Sequence, residues 1–306
     1  MAMAEVLDSV RRIIYKWVNT STRINLDVSR GDTVICVRDC RRFSAGDQVM
    51  LKNSTVYETG LIVDSIDIVG GLVTLTTPAL NDWTMAENTV LIKTINEQFV
   101  QGIYIGDPDV IVRYPAITVN GVSRSSEWLT LESTKERYQI EVTIYVKESS
   151  HEEGYRFCLA MTDEIQKGLK ANLTPLLSDY DLTSLSKDIT AGDLTIYVNN
   201  RSLFDNYRRV IIEDPYETQE NWIMALYDAD DDPSQEAVRL KDCSAFDFNA
   251  SDTTIIIPKR YIFNSWPESI QYGYKHKGDL LYAAKISWFA DEEEMQWIRR
   301  DEPKLR

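Results

Sequence analysis

The sequence has few of the residues that most catalytic sites need. It contains only two histidines, His151 and His276. A serine or cysteine nucleophile needs a base beside it, but His151 lies at a predicted helix start and His276 in a charged loop. Both are interpreted as solvated surface residues. We therefore expect that the chain is not an enzyme, although chemistry carried by carboxylate pairs alone stays open.

The four cysteines are not spaced as metal ligands. No C-x-x-C or H-x-x-x-H pattern occurs, and such spacings are typical of zinc sites. Cys36 and Cys40 have three residues between them, which fits neither a zinc site nor a redox motif. Glycine-rich phosphate loops are also missing from the sequence. We expect free thiols with a packing role, no metal site and no cofactor.

Long apolar runs and an excess of positive charge are missing too. No run approaches the roughly 18 apolar residues of a membrane span, and the N-terminus lacks the basic-then-apolar order of a signal peptide. These patterns predict a chain made in a reducing cytoplasm, with no membrane contact. The net charge is −15, whereas wrapping nucleic acid needs a basic face. Negative charge would instead let DNA pass a surface without binding to it.

Two short motifs resemble known binding motifs, but the residues around them argue against binding. In "DADDDPSQEAVR", Asp228, Asp230 and Asp232 match positions one, three and five of a calcium loop. However, Pro233 replaces the required glycine and Arg239 the required glutamate. This segment is interpreted as a solvated acidic turn, with weak calcium binding as the alternative. The "RGD" at 30–32 is interpreted as a turn that leads into a strand.

An internal repeat is the clearest positive feature of the sequence. "GDTVICVRDCRRF" from Gly31 matches "GDLTIYVNNRSLF" from Gly192 at an offset of 161, and the offset grows to 165 where Val73 matches Val238. The four extra residues fall in the acidic loop between Asp228 and Glu236. The pattern predicts two similar small all-β, barrel-like domains at 23–95 and 174–263. The positions matched at the first offset are Gly31/Gly192, Asp32/Asp193, Ile35/Ile196, Val37/Val198, Phe43/Phe204 and Val49/Val210.

The segments outside the repeat mix helices and strands. An amphipathic helix is predicted from Ala4 to Val18, and a second follows Ser150, whose hydroxyl forms a capping box with Glu153. A last strand is predicted from Asp279 to Phe289. The long strand "ERYQIEVTIYVKE" alternates, with one face formed by Tyr138, Ile140, Val142, Ile144 and Val146.

These segments predict an α+β protein. Its central domain of mixed helices and antiparallel sheet consists of 1–22, 96–173 and 264–306, and the two small all-β domains interrupt it. A string of three separate domains is the alternative. It is disfavoured because the last segment, one strand and a tail, is too small to bury a core alone.

The order of the central segments resembles that of the tail terminator, or tail completion, proteins of long-tailed bacteriophages. The order is a helix, "GDPDVIVRYPAITV", "ERYQIEVTIYVKES", the helix "HEEGYRFCLAMTDEIQKGL" and "LLYAAKISWFAD". The strand "RYPAITV" and the capped helix after "IYVKES" are the most suggestive parts. The resemblance covers a little under half of the chain, and it does not extend to the two inserted β-domains.

The resemblance implies a structural role in the virion. Family members form a six-membered ring that caps the tail tube, docks to the neck and passes DNA through its lumen. The implied partners are further copies of the chain, the tail tube protein and neck or head–tail connector proteins, with the sheath as a further candidate. The implied location is the tail–neck junction of the virion, after assembly in the host cytoplasm. The exposed edges of the central sheet, with Tyr145 or Trp288 nearby, are the expected ring contacts.

Two alternatives stay open. One is another head–tail neck or head-completion protein, which only its location in the virion would separate from a tail terminator. The other belongs to a different class: a carbohydrate- or receptor-binding module carried by the β-domains. The seven tryptophans and sixteen tyrosines could line such a face, but aromatic residues are also enriched in cores and subunit interfaces.

Overall fold

The chain is built mainly from β-strands. The computed structural model describes residues 2–95, 97–108, 110–128, 133–148, 150–171, 177–204, 208–228, 236–276 and 281–295. This part of the chain contains sixteen strands and two α-helices. The predicted α+β class, with a central helix-and-sheet domain, is therefore wrong. Three long strands lie outside the repeat, at 13, 15 and 15 residues, and a fourth, of 23 residues, begins in the repeat and extends beyond it, so strands outweigh helices there as well.

The elements follow one another in a fixed order along the chain. The first part contains α1 (Ala2–Val18), β1 (Ser21–Arg23), β2 (Val34–Cys36), β3 (Gln48–Lys52), β4 (Tyr57–Asp67), β5 (Leu72–Leu75) and β6 (Val90–Thr94). The middle contains β7 (Gly102–Ile105), β8 (Ala116–Trp128), β9 (Ser133–Lys147) and α2 (His151–Ala171). The last part contains β10 (Leu177–Ser184), β11 (Thr195–Val198), β12 (Arg209–Glu213), β13 (Thr218–Asp228), β14 (Glu236–Leu240), β15 (Thr254–His276) and β16 (Leu281–Met295).

Contacts between residues divide the chain into two compact units. The first unit consists of Met1–Ile13, Gly102–Ser178 and Arg260–Arg306. The second consists of Ile14–Gln101 and Asp179–Lys259. Both copies of the sequence repeat therefore belong to the second unit. We call residues 21–95 the first β-module and residues 184–258 the second β-module.

The predicted features of both helices are present, an apolar stripe along α1 and an N-terminal cap on α2. In α1 the buried side chains include Val6, Val10 and Ile14, which recur every four residues on one face. The predicted cap of α2 is confirmed, because the Ser150 hydroxyl accepts a hydrogen bond from the Glu153 amide at 3.2 Å. Tyr155, near the start of α2, is 43% exposed. Among the described residues, no helix combines the length and the apolar character that a membrane span requires.

The two β-modules have the same strand order. The first is an antiparallel sheet of order β1-β6-β3-β4-β5-β2. In the second, β11, β14, β13, β12 and the start of β15 are neighbours in that order, and β10 also pairs with β15. Each module has its own apolar core, which includes Phe43 and Trp83 in the first and Phe204 and Phe248 in the second.

Hydrogen bonds recur at matched positions of the two modules. The Gly31 amide donates to the Ala79 carbonyl at 2.8 Å, and the Gly192 amide donates to the Ser244 carbonyl at 2.8 Å. These two glycines have φ angles of +100° and +103°, a region that side chains strongly disfavour. The shared turn therefore explains why both copies of the repeat open on glycine.

The aspartate after each glycine closes the same turn. The Asp32 carboxylate accepts from the Ser29 amide, and the Asp193 carboxylate accepts from the Thr190 amide, each at 2.8 Å. We expect Asp32→Ala and Asp193→Ala each to lower the free energy of unfolding by about 1 kcal/mol, because an amide loses its partner. Urea unfolding measures the loss. The control Asp64→Ala, at an exposed position of β4, should change it by less than about 0.5 kcal/mol; equal effects at all three positions would contradict this role.

The first unit contains a sheet of long antiparallel strands. β9 pairs with β16 over its whole length, from Ser133 opposite Met295 to Lys147 opposite Leu281. β8 pairs with the other edge of β9, and short β7 adds in parallel to the start of β8. The part of β15 from Ile262 onward pairs with β16. The face of β9 predicted as apolar is confirmed, since Tyr138, Ile140, Val142, Ile144 and Val146 are each 0% exposed.

Candidate functional site

In the described part of the chain, the side chains considered as catalytic or metal-binding candidates do not form a cluster. His151 is exposed at the start of α2 and stacks on Tyr282, with ring centroids 5.6 Å apart. The side chain of His276 and the acidic loop side chains from Asp228 to Asp232 lie outside the described residues. Among the described residues, no group of three or more histidine, cysteine or acidic side chains could hold a metal ion.

Cys40 and Cys158 are buried and Cys36 is half-buried, as a packing role requires, whereas Cys243 is exposed. All four cysteines are free. Burial raises the pKa of the Cys158 thiol to about 12, so it is almost entirely protonated at neutral pH and a poor nucleophile. In the "RGD" turn, the Arg30 amide donates to the Asp82 carboxylate at 2.7 Å, and Asp32 holds the turn described above.

The most exposed regular structure of the first unit is the outer half of β8. All seven residues from Gly121 to Glu127 are exposed, although a strand with one covered face would alternate. β7 pairs with β8 only from Ala116 to Val119. Beyond Val119, no described strand pairs with the edge of β8 that faces away from β9. We call this edge, Asn120–Trp128, the open edge.

The expected ring contacts Tyr145 and Trp288 are not at the surface of the chain. Tyr145 is 3% exposed and Trp288 is 0% exposed. Trp288 follows the buried alternation of β16, and it pairs in register with buried Ile140. Both side chains therefore belong to the interior of the chain, and a ring contact at a sheet edge near them would have to use other residues. The open edge contains instead Val122, which is 54% exposed.

An ionic network stiffens the sheet next to the open edge. The Arg137 guanidinium donates two hydrogen bonds to Asp291, at 2.9 and 3.1 Å, and the Lys135 ammonium lies 2.7 Å from the same carboxylate. Burial alone would raise the pKa of Asp291, but the hydrogen bonds from Arg137 and Lys135 outweigh it and hold this pKa below its ordinary value. Arg137 also packs over the rings of Trp266 and Phe289, 5.2 and 5.6 Å from their centroids.

A second candidate site lies in the second unit, where a turn of the second β-module meets basic residues. The Arg23 guanidinium lies 3.9 Å from the Asp214 carboxylate and 3.7 Å from Asp252, and it stacks over the Tyr216 ring at 4.6 Å. The Lys16 ammonium donates to the main-chain carbonyl of Asp214. We call these contacts of Arg23 and Lys16, together with the ion pair of Arg38 and Asp247 at 3.8 Å, the joint.

The charges of the joint are not shared between the two copies of the repeat. The turns match in geometry: the Val56 amide donates to the Asn53 side chain at 2.7 Å, and the Glu217 amide donates to the Asp214 carboxylate at 2.6 Å. Their charges differ, because Asp214 and Glu217 replace Asn53 and Val56. On the opposite side, the positions that match Arg23 and Arg38 hold Ser184 and Asn199. The first module thus supplies cations and the second supplies anions.

Burial shifts the titration of two groups at the joint. Burial and then repulsion from the Asp214 carboxylate raise the pKa of Glu217 to about 7, although Arg23 and Arg38 act in the opposite direction. Burial also lowers the pKa of Lys16, although nearby Glu213 and Asp214 partly offset it. The joint therefore contains an acid that titrates near neutral pH.

The turn of the first module at residues 53–56, which matches the turn of the joint, borders an open cleft in the second unit. The cleft has a volume of about 670 Å³, within the usual range of small-molecule sites. Three aromatic side chains line it, Tyr15 from the end of α1, Phe99 from the segment after β6, and Tyr216 from the turn at the joint. Lys52 and Glu87 are its charged residues.

No protein-family model and no curated protein matches this chain. The function therefore has to be argued from the open edge, the joint and the cleft.

Sequence reasoning missed the joint and the cleft for different reasons. The joint had a signal in the repeat, since the changes from Asn53 to Asp214 and from Arg23 to Ser184 could be read from the aligned copies. The cleft had none, because Tyr15, Phe99 and Tyr216 are far apart in the sequence and none of them belongs to a motif.

Proposed function

We propose that this chain is a structural subunit of a phage virion that assembles into a tail terminator ring. The observation that carries the proposal is the open edge, a strand segment that is solvent-exposed on both faces and unpaired along its outer side. Such edges pair readily with other chains unless charge, proline or a covering segment protects them. The open edge contains two charged residues, Arg124 and Glu127, but Arg124 is held by Glu136 of β9 at 2.8 Å, and no proline interrupts the edge.

The order of the elements also supports the proposal. The resemblance rests on a helix, a strand, a long alternating strand, a helix and a final strand, and these correspond to α1, β8, β9, α2 and β16. The negative net charge of −15 suits a ring that DNA crosses, because a negative lumen does not hold phosphates. In this role the partners are the tail tube and neck proteins, and the sheath is a further candidate.

The ring is tested first on the purified protein. We expect a closed ring with a central hole in electron-microscopy class averages, and a matching mass by light scattering, because a head-to-tail interface between identical subunits can close on itself. A monomer at every concentration, together with no ring of this chain in particles, would rule the proposal out.

The open edge is tested by a charge at Val122. We expect Val122→Asp to give a folded protein that no longer forms the ring, because a buried carboxylate without a partner opposes strand pairing. The matched control is Val69→Asp in the turn between β4 and β5, where Val69 is 99% exposed. Val69→Asp should leave the ring intact. If Val122→Asp still forms the ring, the open edge is not the contact.

A further inference from the structure

The same turn is covered in one β-module and uncovered in the other. In the second module, Asp214 and Glu217 are 4% and 2% exposed, because the joint covers their turn. In the first module, Asn53, which matches Asp214, is also buried at 9%, so the difference lies in the second half of the turn, where Thr55 is exposed and Val56, which matches Glu217, is 48% exposed. The uncovered turn forms one wall of the cleft of about 670 Å³. The duplication has therefore left one module surface free for another use.

The walls of the cleft combine rings with neutral hydrogen-bonding groups. Tyr15, Phe99 and Tyr216 supply the rings, and apolar Val90 and Ile92 lie on the wall between them. The remaining wall is largely made of amides and hydroxyls, with one ammonium and one carboxylate. Its neutral polar residues include Ser21, Ser54, Thr55, Asn88 and Gln101.

Internal contacts hold these walls in place. The Asn53 amide donates to the Glu87 carboxylate at 2.8 Å, which fixes one charged group of the cleft. The Lys52 ammonium packs over the Phe99 ring at 4.7 Å from its centroid. Asn19 exchanges two hydrogen bonds with the main chain of Val100, at 3.0 and 2.9 Å. A site that is held in shape before binding loses less entropy when its ligand binds.

We propose that this cleft binds a neutral oligosaccharide. A sugar ring has a face of C–H groups that packs on an aromatic ring, and hydroxyls at its rim that pair with amides and carboxylates. The cleft presents both kinds of surface side by side. Phosphate-rich ligands do not fit, because Lys52 is the single cation among the described residues of the lining and the chain has a net charge of −15. A purely apolar ligand would leave the polar half of the wall without hydrogen-bond partners.

Titration of the purified protein with a defined sugar panel tests the proposal. The probes are linear hexasaccharides of glucose, galactose and N-acetylglucosamine, and binding is followed by calorimetry and by saturation-transfer NMR. We expect at least one neutral hexasaccharide to bind. Heparin, a polyanionic sugar, should not bind, because the cleft has one cation. No binding of any neutral member, or stronger binding of heparin, overturns the proposal.

Variants then locate the bound sugar. We expect Tyr15→Ala and Phe99→Ala each to weaken binding about tenfold, because each removes a ring from the wall. If Tyr15→Ala or Phe99→Ala prevents folding, Tyr15→Phe and Lys52→Ala are smaller changes that should preserve the fold. The matched control is Tyr57→Ala, since Tyr57 is 68% exposed and lies outside the cleft lining. Its affinity should stay within about twofold, and equal losses at Tyr15 and Tyr57 would place the sugar elsewhere.

Because binding is measured whether or not the chain forms a ring, the two proposals can fail separately.

Discussion

Gly154→Ala should lower the free energy of unfolding by about 3 kcal/mol, although alanine is the better helix former by about 1 kcal/mol. Gly154 lies in the first turn of α2, and it is buried against β16. A Cβ atom there would lie 2.5 Å from Cε2 and 2.7 Å from Cγ of Tyr282. Tyr282 is only 3% exposed, so its ring cannot turn aside into solvent. The helix must move off the sheet instead.

Chemical denaturation of a small set of variants measures this close approach. Ala160→Gly, at a half-buried position of the same helix, measures the effect of helix propensity alone. It should lower the free energy of unfolding by about 1 kcal/mol. Adding Tyr282→Ala to Gly154→Ala should cost less than the sum of the single losses, since the second change removes the ring that the new methyl meets. A neutral or stabilising Gly154→Ala would show that α2 does not pack this closely on β16.

Glu217→Gln should raise the stability of the protein above pH 7 by about 2 kcal/mol and leave it unchanged in acid. The pKa of Glu217 rises from 4.5 to about 7 in the folded chain, chiefly because the carboxyl is buried and secondly because Asp214 is close. The folded state therefore binds the proton more tightly than the unfolded state. The stability that this proton supplies is complete below pH 4.5 and is lost as the pH rises to about 7. Glutamine keeps the shape of the side chain without the charge.

Urea unfolding of both proteins from pH 4 to pH 9 checks the sign and the window. The difference between Glu217→Gln and the parent chain should grow between pH 4.5 and about 7 and stay constant above it. Glu220→Gln is the control, because Glu220 is exposed and pairs with Arg209 at the surface. Its effect should stay below about 0.5 kcal/mol. A difference that does not depend on pH, or a loss of stability above pH 7, contradicts the assignment.

Local features of the fold could be predicted from the sequence because local rules determine them. The alternation from Tyr138 to Val146 identified a buried strand face, since side chains of a strand point to opposite sides in turn. Ser150 was recognised as a helix cap from its spacing to Glu153. Gly31 and Gly192 could be aligned by their offset, and both occupy the same left-handed turn.

Features that depend on long-range packing could not be predicted. β15 is 23 residues long and contains Pro258 and Pro267, and proline argues against the interior of a strand. The strand accommodates Pro267 by a register shift between Pro267 and Ser269. β8 continues to Trp128 and β15 to His276, through residues that lack an alternating apolar pattern, and the helices were therefore given too much weight in the predicted fold class. The cleft depends on which faces meet, and a linear pattern does not contain that information.

The charge difference at the joint limits how far such modules can stack. The joint connects two unlike faces, the turn of the second module and the side of the first module that holds Arg23 and Arg38. Unlike faces that join identical units produce an open-ended array. The outer faces of the pair do not repeat the charges of the joint, because the free turn of the first module has Asn53 and Val56 instead of carboxylates, and Ser184 and Asn199 replace the arginines on the second module. A third module of the same kind would therefore meet no complementary charges on either outer face.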